Sequence, residues 1–98
     1  MTTFILLSKI SLRSPGEVKT IGEMDQEFGW KLAEECPAVR RIASYAILGE
    51  YDFLHIFEAP DAKIATKVAL LAQMFGAGTT QTLTAIPLDE FRAIVEEV

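Results

Sequence analysis

Apolar residues lie along the chain either in short runs or at helical spacing, and the switches between these two patterns predict the order of the elements. Short runs with strand character cover Phe4–Ile10, Val39–Leu48, Tyr51–Glu58 and Thr79–Ile86. Between the first two runs, apolar positions recur every three or four residues up to about Glu35, and the same spacing returns after Pro60. The pattern predicts the order β-α-β-β-α-β, followed by a short terminal helix.

Local signals mark where the predicted helices begin and end. The segment Ser14–Glu17 has capping-box spacing with Pro at the first helical position, and so predicts the start of the first helix. Asp61 is the predicted N-cap of the second helix, and Gly76 supplies the left-handed residue that closes it. Pro87 precedes the terminal helix. Its apolar residues fall on one side: Phe91, Ile94, Val95 and Val98.

The centre of the chain, Leu48–Phe53, predicts the tip of a β-hairpin. Gly49-Glu50 fits a two-residue type II′ turn with Gly in the first central position. The resulting register pairs Leu48 with Tyr51, Ala46 with Phe53, Ser44 with His55 and Arg41 with Glu58. The last pair brings opposite charges together across the strands, which favours this register.

With right-handed crossovers, this order of elements is the ferredoxin-like α+β plan, a four-stranded antiparallel sheet with two helices on one face. We expect a single domain over residues 1–98. A sheet covered on one face should alternate apolar and polar residues, but Phe53, His55 and Phe57 share one face while Leu54 and Ile56 occupy the other. Two helices can cover only one of these faces, so we expect a second copy of the chain to cover the other. This predicts a homodimer, a dimeric α/β barrel. The alternative is that the terminal helix covers it.

Composition narrows the classes of function. The 98 residues carry a net charge of −5 with scattered basic residues, so the basic surface that nucleic-acid binding needs is not expected. No apolar run approaches the roughly 20 residues of a membrane span. The start of the chain lacks the basic segment of a signal peptide, and the single Cys36 cannot form an internal disulfide, so we expect a cytoplasmic protein. One histidine and one cysteine give no metal-ligand spacing, and we expect no cofactor.

Four short motifs, in the correct order along the chain, resemble the GYD domain family. They are Leu48–Phe53 with its Gly49-Glu50-Tyr51-Asp52 signature, Glu58–Asp61, Thr82–Ile86 and Asp89–Phe91. The resemblance implies the dimeric α/β-barrel superfamily, but the family carries no established activity. The hairpin is also similar to the effector-binding module of the leucine-responsive transcription regulators, where such a turn lies near subunit contacts that take small effectors such as amino acids. This chain has no helix-turn-helix segment, so only the effector half is comparable.

The candidate ligand-binding residues lie at and beside the hairpin tip: Gly49, Glu50, Tyr51, Asp52 and His55. Two interpretations of Asp52 are open, since its carboxylate can accept from nearby backbone N–H groups or contact a polar ligand. Tyr51 suits a subunit contact or a pocket rim. His55, the only histidine, is either a general base or a half-buried residue hydrogen-bonded to Ser44.

Three functional interpretations follow. The leading hypothesis is a homo-oligomeric binding module that holds a small polar molecule between subunits or inside the barrel, near the Gly49–Asp52 turn. The alternative is a small cofactor-independent enzyme, similar to the monooxygenases or isomerases built on this barrel, with His55 and either Tyr51 or Tyr45 as acid and base groups. The third is a structural or protein-interaction role. No residue is assigned as catalytic, because fold analogy alone does not separate these interpretations.

Overall fold

The computed structural model describes residues 1–10 and 21–98. Its elements are β1 (Thr2–Lys9), α1 (Ile21–Glu35), β2 (Arg40–Ala46), β3 (Phe53–Ala59), α2 (Ala62–Met74), β4 (Thr79–Ala85) and α3 (Leu88–Glu97). The strands form one sheet in the order β2-β3-β1-β4, and each neighbouring pair is antiparallel. The predicted ferredoxin-like α+β fold is therefore confirmed. The predicted capping box at Ser14–Glu17 lies outside the described residues.

The register of the central hairpin matches the prediction near its tip and departs from it at the far end. Ser44 pairs with His55 and Ala46 with Phe53, as predicted. The predicted pairing of Arg41 with Glu58 is wrong, because the register shifts between Arg41 and Ala43. This bulge adds one residue to β2, so Arg40 lies opposite Glu58 and Arg41 turns to the other face of the sheet.

The hairpin loop is wider than the predicted two-residue turn. The Ile47 N–H donates to the Asp52 carbonyl at 2.8 Å. Because hydrogen-bonded pairs alternate with unbonded pairs along an antiparallel ladder, this bond excludes the hydrogen-bonded pair that a two-residue turn needs at the next position. The predicted pairing of Leu48 with Tyr51 is therefore wrong, and Leu48–Tyr51 forms a four-residue loop. Gly49 has φ 138°, a backbone conformation that side chains disfavour, so the predicted need for glycine here holds.

Both predicted ends of the second helix are confirmed. The Asp61 carboxylate accepts from the Ile64 N–H at 3.0 Å, which satisfies one of the free donors of the first turn. Gly76 has φ 107°, and the Ala77 N–H donates to the Ala72 carbonyl at 3.1 Å. This is the Schellman arrangement, in which the left-handed glycine lets the chain fold back over the last turn.

The helices cover one face of the sheet, here called the covered face, which carries Phe4, Leu6, Ser8, Phe53, His55 and Phe57. Phe28 and Leu32 of α1 and Val68 and Leu71 of α2 pack with this face and form the core. The rings of Phe4 and Phe57 stack with their centroids 5.7 Å apart. The core of the described residues therefore lies on this side alone.

The opposite side, here called the open face, carries Ile5, Leu7, Tyr45, Leu54, Ile56 and Leu83. No described element lies over these residues. The alternative in which α3 covers part of this face is wrong, because every residue of α3 is itself exposed. No helix in the described ranges combines the length and apolarity needed to cross a membrane.

Candidate functional site

A cavity of about 330 Å³ lies between the covered face, α1 and the end of α2. Its apolar walls include Ile10, Ile21, Phe28, Ala46, Phe53, Ala72, Phe75 and Ala77. Ser8, Asp25, Ser44 and His55 contribute polar groups. A mainly apolar concavity with a few converging polar groups is typical of a small-molecule site.

The polar groups beside the cavity form a connected chain that ends at His55. The His55 Nδ1 lies 2.8 Å from the Ser44 Oγ. The Arg41 Nη2 donates to the Ser44 Oγ at 3.2 Å and to the Asp25 Oδ1 at 3.1 Å. The imidazole of His55, on β3, is thus held in place by residues from one strand, β2, and one helix, α1.

The local structure explains why these side chains meet. Ser44 and His55 are cross-strand partners, so their side chains leave the sheet on the same face. The bulge in β2 turns Arg41 to that face as well, and its guanidinium lies 5.4 Å from the centre of the Phe28 ring. The Phe28 ring lies in turn 6.4 Å from the His55 ring. Asp25 and Phe28 reach the site from neighbouring positions on α1.

The surroundings of His55 favour its neutral form. Burial lowers its pKa below the ordinary 6.5, the positive charge of Arg41 lowers it further, and Asp25 partly opposes both effects. Since Arg41 can only donate to Ser44, the Ser44 hydroxyl can donate a hydrogen bond to the Nδ1 of a neutral His55. In that arrangement the Nε2 carries the ring proton and offers a hydrogen-bond donor.

The other four predicted site residues do not line the cavity. Gly49 and Glu50 are exposed at the hairpin tip. The Asp52 carboxylate accepts from the Ile10 N–H at 2.8 Å, and the Asp52 N–H donates to the Ser8 carbonyl at 2.9 Å. The Asp52 side chain therefore ties the hairpin to the end of β1.

The two tyrosines considered as acid or base partners of His55 point to other contacts. The Tyr51 hydroxyl donates to the Gln81 Oε1 at 2.8 Å, and the Lys9 Nζ lies 5.9 Å from the centre of its ring. Tyr45 borders the cavity but pairs with Leu54 on the open face. Within the described residues, the structure joins His55 to Ser44 rather than to either tyrosine.

Sequence reasoning did not identify Asp25 and Arg41 as part of the site. Arg41 was assigned to the wrong face because the bulge was not foreseen, and its partner Asp25 was missed with it. The described residues contain no group of His, Cys, Asp and Glu that could hold a metal ion. Cys36 is buried, and burial raises the pKa of its thiol, which favours the unreactive protonated form.

Comparison with known proteins places these features in a family. A "glutamine synthetase and cystathionine beta-lyase binding protein" from Thermus thermophilus is 34% identical over 101 residues, which cover 95% of this chain and 97% of the relative. A dimeric protein of ferredoxin-like fold from Bacteroides fragilis is similar with a TM-score of 0.56 and 12% identity, over 86% of this chain and 93% of that one.

An AsnC family transcriptional regulator from Agrobacterium tumefaciens is similar with a TM-score of 0.54 and 17% identity. The match covers 91% of this chain but only 58% of the regulator. At these identities both solved structures support the fold alone. The model of the GYD domain matches residues 4–95. The chain belongs to the GYD domain family.

Proposed function

We propose that the protein is a homodimeric binding module that holds a small molecule in the cavity beside His55. The observation that carries the proposal is the cavity itself, in which aromatic and aliphatic walls meet one well-anchored imidazole. Anchored polar groups orient a ligand, and apolar walls supply most of its binding free energy.

The walls indicate the chemistry of the ligand. The charge of Arg41 is already paired with Asp25, and the imidazole of His55 is held neutral. A ligand with an apolar, preferably ring-shaped body and one hydroxyl or carbonyl group therefore fits better than the small polar molecule expected from the sequence. Of the five predicted residues, His55 is the proposed ligand contact, and Asp52 supports the hairpin beside it.

A thermal-shift panel tests the small-molecule part of the proposal. We expect neutral ring compounds with one hydroxyl or carbonyl to raise the melting temperature more than amino acids or organic acids do, because a ligand that binds only the folded state stabilises it. Ala46→Phe, which places a ring in the cavity, should abolish the shift. Ala33→Phe, on the exposed side of α1, is the matched control. A shift that persists in Ala46→Phe, or no shift across the panel, contradicts the proposal.

The open face supports the dimer. Its six residues defined above form a continuous apolar surface across all four strands, and a second copy related by a two-fold axis is the simplest cover. We expect a dimer by light scattering at micromolar concentration. Leu7→Glu, in the centre of this face, should give a monomer, whereas Ala33→Glu should not. A wild-type monomer at these concentrations contradicts the dimer.

The relative from Thermus thermophilus favours a second candidate, a binding module for other proteins. Its name assigns it two enzymes as partners, and its similarity to this chain extends over nearly the whole length of both. We therefore expect purified glutamine synthetase or cystathionine beta-lyase to form a complex with this protein in sedimentation velocity. If this protein sediments separately from each enzyme at micromolar concentration, the protein-binding function is excluded for that enzyme, and the proposal for the cavity still stands.

A further inference from the structure

The terminal helix α3 presents an apolar stripe that its own chain leaves uncovered. Leu88, Phe91, Val95 and Val98 recur at helical spacing along one side, and Ile94 widens the stripe. Phe91 is 51% exposed and Val95 54%, although every other described helix buries part of its apolar side. Because a ten-residue helix is marginal without packing, this stripe needs a partner surface.

The position of α3 in the fold limits where that surface can be. The helix follows β4, which is one edge of the sheet, while β2 forms the opposite edge. Three strand spacings, about 14 Å, separate these edges within one subunit. In a dimer whose open faces meet around a two-fold axis parallel to the strands, the β4 edge of one subunit comes to lie over the β2 edge of the other.

The β2 edge has the complementary properties. Ile42, at the bulge, is 51% exposed and Tyr45 is 56% exposed, so two large apolar side chains are uncovered there. Arg40 lies beside them with only a 4.0 Å contact to Glu58. The segment from Leu88 to Val98 carries four acidic residues (Asp89, Glu90, Glu96 and Glu97) and one basic residue, Arg92. Its net charge is thus opposite to that of the Arg40 end of β2.

We propose that α3 packs across the dimer against the β2 edge of the partner subunit, with Phe91 seated between Ile42 and Tyr45 of the partner subunit. Two-fold symmetry then forms this contact twice in each dimer. This inference rests on the proposed dimer, with its two-fold axis parallel to the strands, and adds a second contact region beside the two sheets. It also gives the bulge in β2 a role in assembly, because the extra residue is Ile42.

The dimer dissociation constant measured by sedimentation equilibrium tests the contact. Phe91→Ser should raise it at least tenfold, while Leu70→Ser, which removes an equally exposed side chain from α2, should leave it within twofold. Neither side chain is buried in the subunit, so both variants should fold as the wild type does. A dimer that Phe91→Ser leaves unchanged overturns this inference but not the dimer, whereas a wild-type monomer overturns both.

A double-mutant cycle identifies the surface that α3 contacts. If Phe91 meets Ile42 of the partner subunit, Ile42→Ser should also weaken the dimer, and the double variant should weaken it by less than the product of the two single effects. Independent effects, in which the two factors multiply, overturn the assignment to β2.

Arg40→Glu should weaken the dimer about fivefold, and Glu90→Arg in the same chain should restore part of the loss.

Discussion

The two faces of the sheet differ in how they are covered, although both carry large apolar side chains. On the covered face, Phe57 and Leu6 are almost fully buried by the helices. On the open face, their neighbours Ile56 and Leu7 are shielded only by adjacent side chains of the sheet, and Leu83 and Tyr45 are exposed. The same strands therefore build a complete core on one side and, in the proposed dimer, half of a contact surface on the other.

This difference explains the lack of apolar–polar alternation along β1 and β3. A strand that faced water on one side would place polar residues there, yet Ile5 and Leu7 alternate with Phe4 and Leu6. The side that the helices do not cover retains the composition of a core. If the proposed dimer forms, an apolar run in a chain this short carries information about assembly as well as about the fold.

Leu6 and Leu7 give the sharpest test of the comparison, because they are adjacent leucines on opposite faces. Leu6→Ala should lower the free energy of unfolding by about 2–5 kcal/mol, since it removes a fully buried side chain from the core. Leu7→Ala should cost about 1 kcal/mol within one subunit, because that side chain is only half-buried. Urea unfolding at two protein concentrations separates these losses.

The concentration dependence distinguishes the two faces. The loss caused by Leu6→Ala should be the same at both concentrations, whereas Leu7→Ala should show an additional loss that depends on concentration, because it weakens association. Equal losses for the two variants, both independent of concentration, would mean that Leu6 and Leu7 are equally covered within one subunit and that Leu7 takes no part in association.

Arg40 and Arg41 provide a second, smaller comparison of neighbouring residues separated by the bulge. Arg41 contacts Asp25, Ser44 and the Phe28 ring, so Arg41→Ala should cost about 1–2 kcal/mol. The contact of Arg40 with Glu58 is long and largely exposed, so Arg40→Ala should cost less than about 0.5 kcal/mol within the subunit. Urea unfolding of the two alanine variants measures the difference in the part of the loss that does not change with protein concentration. A larger cost for Arg40 in that part would contradict the contacts assigned to the two arginines.

Regular patterns made most of the fold predictable from the sequence. Short runs with strand character and helical spacing predicted the order of the elements, and Asp61 and Gly76 marked the ends of α2 through chemistry local to each position. The pairing of Ser44 with His55 also followed, since it depends only on the hairpin near its tip. These features need no knowledge of distant parts of the chain.

The site was less predictable because it depends on tertiary details. A bulge leaves no clear signal in the composition of β2, yet it decides that Arg41 rather than Arg40 joins the chain of hydrogen bonds to His55. The cavity depends on how α1 and α2 lie over the sheet, which hydrophobic spacing does not specify. The GYD signature directed attention to the hairpin tip, but of its four residues Asp52 acts in the structure as a tie to β1.

The smallest expected effect is the contribution of His55 to the pH dependence of the free energy of unfolding. His55 is a titratable residue that lies half-buried on the covered face. Its folded pKa lies below the ordinary 6.5 through burial and the charge of Arg41, with Asp25 opposing. As the pH falls through 6.5, the unfolded chain therefore binds a proton before the folded chain does, and the free energy of unfolding decreases. His55→Gln should remove this component between roughly pH 5 and 7, measured as the pH dependence of the urea midpoint. Identical slopes for the wild type and the variant would show that burial on the covered face does not lower the pKa of this histidine.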